Sequence, residues 1–319
     1  MKLHAFALLA LLASPLAAQE MRTITDDAGV EVTFPARPLR IVTLHDSQLT
    51  IPLIELGLLP AGSHGRTDEN GENPFIRSGM ILTGTDFVNS DIAWIGDYPA
   101  DAELIAAVAP DLILTTEWNE LSPDILRQIA PTVVIDTTAR SRDEIYNFMA
   151  EIAGPQAQET LARLRARYAA QIAQIKTVVE DPASITVATF QIWEGTIYAS
   201  HTYGNLGQVI RDAGFAQPAI IDTIAPGGEG EFSIESLPEF DADVVFATYN
   251  TGWGNDLPSE RDSYLSVPGF CETIFACREG QMFYIPRDEA FSMSFDALGM
   301  TAYAVLALIA GQDITTRAE

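Results

Sequence analysis

The chain has 319 residues, which is long enough for two domains of ordinary size. Its formal net charge is −26 at pH 7, and it becomes −27 when Lys2 leaves with the amino-terminal leader segment. A chain this acidic does not attract nucleic acid or an anionic membrane surface through a general electrostatic field, so neither class of partner is expected. Recognition of an anionic ligand would need a local cluster of arginines.

Residues 1–18 have the pattern of a secretory signal peptide. Lys2 precedes a short apolar core, and the small residues of SPLAA close the segment. The apolar core is too short for a membrane span, which needs about twenty apolar residues. We therefore expect cleavage after Ala18 and export of a soluble mature protein.

Short apolar β runs alternate with helical stretches in both halves of the mature chain, as they do in α/β domains with parallel sheets. Predicted strands are RIVTL, LLPAGS, SITVATF, TIYAS, QMFYIP and residues 112–116, 132–135 and 244–248. Predicted helices cover residues 49–56, 103–109, 124–130, 205–213 and 298–310. The pattern predicts two Rossmann-like lobes, an N-terminal lobe over 19–150 and a C-terminal lobe over 183–319, with a ligand cleft between them.

The segment 151–182 joins the two predicted lobes. Pro155 opens a stretch that Asp181-Pro182 closes, and apolar residues recur in it at intervals of three and four. This spacing predicts one amphipathic helix of about twenty-five residues. A flexible linker would instead be rich in Gly, Ser or Pro. We therefore expect a stiff connection and only a small closure of the lobes on binding.

Cys271 and Cys277 are the two cysteines of the chain. In an exported protein such a pair favours a disulfide bond. An unbroken helix would hold residues six apart on different faces, so the bond predicts a bend within CETIFAC. Two free thiols are the alternative, and the spacing fits no zinc motif.

Two stretches of the chain, AELIAAVAPDLILTT and IESLPEFDADVVFAT, share one pattern. Glu103 precedes Asp111 by the same spacing with which Glu235 precedes Asp243. A carboxylate at the start of a helix interacts favourably with the helix dipole, by less than about 1 kcal/mol, which explains either glutamate alone. It does not explain the identical spacing, which indicates a shared function in the two lobes.

These motifs, in their order along the chain, resemble the periplasmic substrate-binding proteins of ABC importers that handle ferric siderophores and cobalamin. The resemblance covers essentially the whole mature chain and rests on TITDDAGVEVTFPARPLRIVTL, ELIAAVAPDLIL, IYASHTYGNLGQVIRDAGF and CREGQMFYIP. It implies a monomeric carrier in the periplasm that does no chemistry. It also implies that Glu103 and Glu235 dock into arginine pockets of a permease dimer in the inner membrane. The chain has neither a Gly-x-Ser-x-Gly elbow nor a phosphate-binding loop, so an enzyme is not expected.

In open parallel sheets, ligands bind at the carboxyl ends of the strands. Those ends supply the predicted ligand-binding residues, which are His45, Asp46, Arg66, Tyr98, Trp118, Trp193, His201, Tyr203, Tyr249 and Arg287. Aromatic side chains with a few polar groups suit a bulky ligand in a largely preformed site. We expect Trp118 and Trp193 to stack on the ligand, with packing between the lobes as the alternative. Arginines near the predicted cleft are too few to require a highly anionic catecholate, and hydroxamate and citrate-type ligands stay open.

The resemblance thus implies a carrier of an Fe(III)-siderophore complex that needs no cofactor and binds no metal through its own side chains. Cobalamin, haem and a bare divalent metal are the alternative ligands. His45, His64 and His201 all follow strand ends, and together they would permit a direct zinc or manganese site. A structural role is the alternative for each histidine. A lobe pair that signals to a membrane receptor is a further alternative.

Overall fold

The computed structural model describes residues 20–68, 70–251 and 254–317. The signal peptide predicted for residues 1–18 lies outside the described residues. The strands are β1 Met21–Thr25, β2 Glu31–Pro35, β3 Ile41–Thr43, β4 Gly62–Ser63, β5 Arg66–Thr67, β6 Pro74–Phe75, β7 Ala93–Trp94, β8 Leu112–Thr116, β9 Thr132–Ile135, β10 Val187–Thr189, β11 Gln191–Trp193, β12 Thr196–Ser200, β13 Glu229–Ser233, β14 Val244–Tyr249 and β15 Met282–Pro286.

The helices are α1 Ile51–Glu55, α2 Gly79–Leu82, α3 Ala102–Val108, α4 Pro123–Leu126, α5 Arg142–Ala153, α6 Pro155–Val178, α7 Gly204–Ala213, α8 Leu257–Leu265, α9 Phe270–Thr273, α10 Phe275–Arg278, α11 Arg287–Phe291 and α12 Phe295–Ala310. Asp46–Thr50 forms a π-helical turn, and Ile234–Phe240 is a 3-10 helix. Among the described residues, none of the helices has both the length and the apolar composition to cross a membrane.

The first lobe contains a five-stranded parallel sheet in the order β7-β4-β3-β8-β9. Every residue of β8 and of β9 is buried, as expected for strands covered by helices on both faces. Both strands have the bounds that the sequence predicted. The carboxyl ends of β3, β4, β8 and β9 therefore meet at one edge of this sheet.

The second lobe contains two sheets. A parallel sheet has the order β10-β14-β15, and an antiparallel sheet has the order β11-β12-β13. The sequence predicted that Trp193 lies at the carboxyl end of a parallel strand, whereas residues 191–193 form the first strand of an antiparallel hairpin. Glu194 and Gly195 both have positive φ and turn the chain there. Trp193 therefore lies at the tip of a hairpin and not at the carboxyl edge of the parallel sheet.

The predicted connection between the lobes is confirmed by α6, a helix of 24 residues with Pro155 in its first turn. Its buried residues include Leu161, Leu164, Ile172 and Ile175, which follow the predicted apolar stripe. The helix packs against α5 of the first lobe and against α7 and α12 of the second. The prediction of two α/β lobes joined by one long helix is confirmed.

One continuous hydrophobic cluster runs through both lobes and the connecting helix. It includes Leu112 from the first lobe, Leu161 from α6 and Val244 from the second lobe. Because protein interiors are close-packed, a shared core of this kind resists rotation of one lobe against the other.

A buried carboxylate of the first lobe caps the last helix of the second lobe. Glu55, the last residue of α1, accepts hydrogen bonds from the N–H groups of Phe295 (3.0 Å) and Asp296 (2.8 Å) at the start of α12. The hydroxyls of Ser294 and Tyr146 also donate to it. Burial raises the pKa of Glu55, although these donors oppose the change. Glu55 thereby satisfies amide groups that a helix leaves unpaired in its first turn.

The predicted disulfide bond between Cys271 and Cys277 is confirmed, and their Cα atoms are 4.9 Å apart. The predicted bend is also present, because α9 ends at Thr273 and Ile274 has an extended backbone before α10 begins.

We predict that Glu55→Ala lowers the free energy of unfolding by about 3 kcal/mol, because it leaves several buried donors without an acceptor. Urea unfolding of the purified protein measures this change. Glu159→Ala, on the exposed side of α6, is the matched control and is expected to change stability by less than about 0.5 kcal/mol. Equal effects of the two substitutions would contradict the role of Glu55.

Candidate ligand-binding cleft

A cavity of about 670 Å³ lies between the two lobes. Its apolar and aromatic lining includes Ile51, Leu82, Trp118, Phe291 and Met293. Its charged lining consists of Arg77, Arg140, Arg142, Arg287 and Asp288. The first lobe supplies residues that follow β3, β8 and β9, so the carboxyl edge of the parallel sheet forms one wall. The second lobe supplies the start of α7 and the helix α11.

Asp46 is buried behind the wall of the cavity and forms an ion pair with Arg77, which is partly exposed at that wall. Arg77 Nη2 donates to Asp46 Oδ1 at 2.6 Å, and Arg77 Nε donates to Oδ2 at 2.9 Å. Burial alone would raise the pKa of Asp46, but the hydrogen bonds and charge of Arg77 hold it well below its usual range. Asp46 was predicted to contact the ligand. In the structure it is fully buried and orients Arg77, which lines the cavity.

His45 is a neutral, buried residue of the wall. Its Nδ1 accepts a hydrogen bond from the N–H of Gln48 at 3.0 Å, and its Nε2 lies 3.2 Å from Arg77 Nη2. Burial lowers the pKa of His45 to about 3; Asp46 opposes this shift and the Arg77 charge adds to it. The ring also meets the edge of Trp118, with ring centroids 5.0 Å apart.

The three histidines that would form a metal site do not come together: His45 and His64 are neighbours in the first lobe, and His201 lies in the second. His64 is fully buried and stacks on His45 at 5.8 Å between ring centroids, and burial lowers its pKa. His201, in the second lobe, lies 3.2 Å from the hydroxyl of Thr202. Within the described parts of the chain, no three His, Cys, Asp or Glu side chains are arranged to hold a metal ion. The arrangement therefore gives the zinc or manganese alternative no support.

The other predicted ligand-binding residues of the first lobe fall into two groups. Trp118 lines the cavity, and its Nε1 donates to Thr137 Oγ1 at 3.0 Å, which fixes the indole ring. Tyr98 lies beside it, with ring centroids 6.2 Å apart. Arg66 instead pairs with Asp97 at 3.3 Å and is not among the cavity-lining residues that the structure describes.

In the second lobe, Arg287 lines the cavity with its guanidinium over the ring of Phe291. Tyr203 is buried behind that wall, and its hydroxyl bonds to Thr248. Trp193 is 62% exposed at the hairpin tip, and Tyr249 ends β14. Neither of them, nor His201, is among the described residues that line the cavity.

Sequence reasoning missed three of the four arginines that line the cavity. Arg140 and Arg142 follow β9, a strand that the sequence predicted, but its carboxyl end was not searched for ligand-binding residues. Arg77 has no local signal, because it reaches Asp46 from a loop 31 positions away in the sequence. The sequence therefore predicted too few arginines at the cleft.

Residues 96–288 match the sequence profile of the periplasmic binding protein family. The chain belongs to this family. Periplasmic binding proteins of this family bind substrates for transport and do not convert them, which agrees with a cleft between two fixed lobes. A search of curated protein sequences gave no match.

Solved structures show the same fold. The structure of SirA from Staphylococcus aureus with staphyloferrin B is 18% identical, covers 90% of this chain and 98% of its own, and gives a TM-score of 0.72. FhuD2 from the same organism, with ferrioxamine B, is 17% identical with 86% and 99% coverage and a TM-score of 0.65. A FhuD fold-family protein of Bacillus subtilis, a component of a Fep/Fec-like ferrichrome ABC transporter, is 19% identical with 91% and 100% coverage and a TM-score of 0.72.

We predict that His45 makes the stability of this periplasmic binding protein depend on pH. The unfolded chain binds a proton at His45 below about pH 6.5, whereas the folded chain binds it only near pH 3. Stability should therefore fall by up to about 1.4 kcal/mol for each pH unit between pH 6.5 and 4.5. Urea unfolding at several pH values measures the slope.

His45→Asn should remove this part of the slope. The same slope in wild type and in His45→Asn would show that His45 is protonated in the folded state over this range.

Proposed function

We propose that the protein is a periplasmic carrier that captures a ferric siderophore in the cleft between its lobes and delivers it to an ABC permease. The observation that carries this proposal is the cavity of about 670 Å³, whose walls combine Trp118 and Phe291 with four arginines. Its volume is within the range of small-molecule sites, which is about 300–1,000 Å³. Aromatic faces with a few fixed polar groups suit a bulky chelate with a polar rim.

The bound ligands of related structures support the siderophore class. SirA holds staphyloferrin B and FhuD2 holds ferrioxamine B in proteins of the same fold. These two ligands differ in chemistry, so the fold alone does not select between them. Selection between such ligands depends on the side chains of this cleft. Trp118 and Arg287 are the proposed direct contacts, and Tyr98 is a proposed contact beside Trp118.

The lobes are held nearly fixed, so binding needs little closure. They share one hydrophobic cluster, and Glu55 of the first lobe caps α12 of the second. The hydroxyl of Ser78 in the first lobe also donates to Glu289 Oε1 in the second, at 2.7 Å. A site that is already formed loses less conformational entropy when a ligand binds.

Delivery to the permease is proposed to use Glu103 and Glu235, one exposed glutamate from each lobe. Each lies in the first turn of a helix whose N-cap side chain accepts a hydrogen bond from the glutamate's own N–H; the caps are Asp101 and Ser233. In the described chain, neither carboxylate has a side-chain partner, so both are available to arginines of a permease subunit. The protein is proposed to act as a monomer.

We predict saturable quenching of tryptophan fluorescence at submicromolar concentration by one class of ferric chelate. The ligands to compare are a ferric hydroxamate, a ferric catecholate, ferric citrate, haem, cobalamin and Zn²⁺. Trp118→Phe should lose most of the quenching and weaken binding about tenfold, because the indole ring faces the cavity. Trp193→Phe is the matched control outside the cavity. A response to Zn²⁺ alone would overturn the siderophore proposal.

We predict that the double substitution Glu103→Lys and Glu235→Lys abolishes uptake of the radiolabelled iron chelate by cells, while the purified variant still binds its ligand. The reason is that each change replaces a carboxylate by a lysine, which repels the arginines of the permease pocket. The double substitution Glu159→Lys and Glu180→Lys, at exposed positions of α6 and just after it, is the control for the change in net charge. Normal uptake by the double variant would show that docking does not use these glutamates.

A further inference from the structure

Arg142 is a buried cation at the boundary between the two lobes. It is the first residue of α5, it lines the cavity, and only 8% of its surface is exposed. Its guanidinium donates to the side-chain oxygens of Gln208 and Asn205 on α7, and its Nε donates to the carbonyl of Met293 at 3.2 Å. All of these acceptors belong to the second lobe.

None of these acceptors carries a charge. Among the described residues, no carboxylate lies within ion-pair distance of Arg142. The neighbouring arginines of the same wall differ in this respect, because Arg77 pairs with Asp46 and Arg140 pairs with Asp27. Burial lowers the pKa of Arg142, but a guanidinium stays protonated in proteins. A buried charge without a counter-charge is costly, and an anionic ligand would relieve that cost.

The charged lining of the cavity also differs in sign from the rest of the protein. Four arginines and, in the described part of the chain, one carboxylate (Asp288) face the cavity, whereas the whole chain carries −26. If Arg142 served only to fasten the lobes, a carboxylate in place of Gln208 would hold it more strongly than an amide does. The amide acceptors orient the guanidinium without neutralising it.

We infer that an anionic group of the ligand binds Arg142, so that the cleft selects negatively charged ferric chelates over neutral hydroxamates. This inference rests on the proposed function, because it names the class of chelate for the same cleft. An anion at this position would contact a residue whose other hydrogen bonds already reach α7. It would therefore be held at the point where the first lobe joins the second.

The test compares ferric citrate, as the anionic probe, with ferrichrome, as the neutral hydroxamate probe, by fluorescence titration of the full mature protein. Wild type is expected to bind ferric citrate more tightly than ferrichrome. Arg142→Gln should weaken ferric citrate binding about 30-fold, as expected for loss of a charged hydrogen-bonding group, and ferrichrome binding less than about threefold. Arg165→Gln is the control, since Arg165 lies on the exposed side of α6 and pairs with Asp143 of α5.

Gln208→Glu tests the same inference without removing the buried arginine. The new carboxylate should neutralise Arg142, so the thermal midpoint should stay the same or rise while ferric citrate binding weakens at least about tenfold. Submicromolar ferrichrome binding with no ferric citrate binding, or unchanged ferric citrate affinity in both variants, would overturn the inference and leave the carrier function standing. If wild type binds neither these probes nor any other ferric chelate, the proposed function falls and the inference falls with it.

Discussion

The hydrogen bonds between Glu55 and the start of α12 fix the position of one lobe relative to the other. They join a helix of the first lobe to a helix of the second, and α12 in turn packs on the connecting helix α6. A buried acceptor with several donors tolerates little displacement, because each lost bond would leave a buried polar group unpaired. The two lobes therefore keep a fixed relative position. The cavity between them has its shape before a ligand binds.

The repeated motif has a structural half and an exposed half. Asp111 accepts hydrogen bonds from the N–H groups of Leu39 and Arg40, just before β3, and Asp243 accepts one from Thr186 N–H, just before β10. Each aspartate thus fixes the start of the strand that pairs with its own strand. This requirement explains why the aspartates recur at the same place in both lobes. The same requirement does not explain why the exposed glutamates recur at the same spacing. Their repetition is consistent with contact to two similar partner surfaces.

How much the sequence predicts depends on whether the signal is local. The strands β8 and β9, the helix α6 and the bend between the cysteines were predicted because periodicity, capping and proline positions act over a few residues. The hairpin of Trp193 was missed because a short β run looks the same whether its neighbour is parallel or antiparallel. Arg77 was missed because only the folded chain brings it to Asp46. Three of the predicted ligand-binding residues, His45, Trp118 and Arg287, line the cavity, because they follow strands that were placed correctly.

The arrangement of charge would allow a strongly acidic protein to bind an anion in its cleft. At physiological ionic strength, exposed charges are screened over about 8 Å, so the distant carboxylates act weakly inside a cleft. Asp46 and Asp27 lie next to the arginines of the wall and hold Arg77 and Arg140 in position, but they also cancel most of the charge of those two side chains. Arg142 is held by neutral amide groups instead, so its positive charge at the lobe boundary is not compensated by a carboxylate. The net charge of the protein therefore does not indicate the charge of its ligand. The neutral hydrogen-bond partners of the buried Arg142 do, because they leave its positive charge uncompensated.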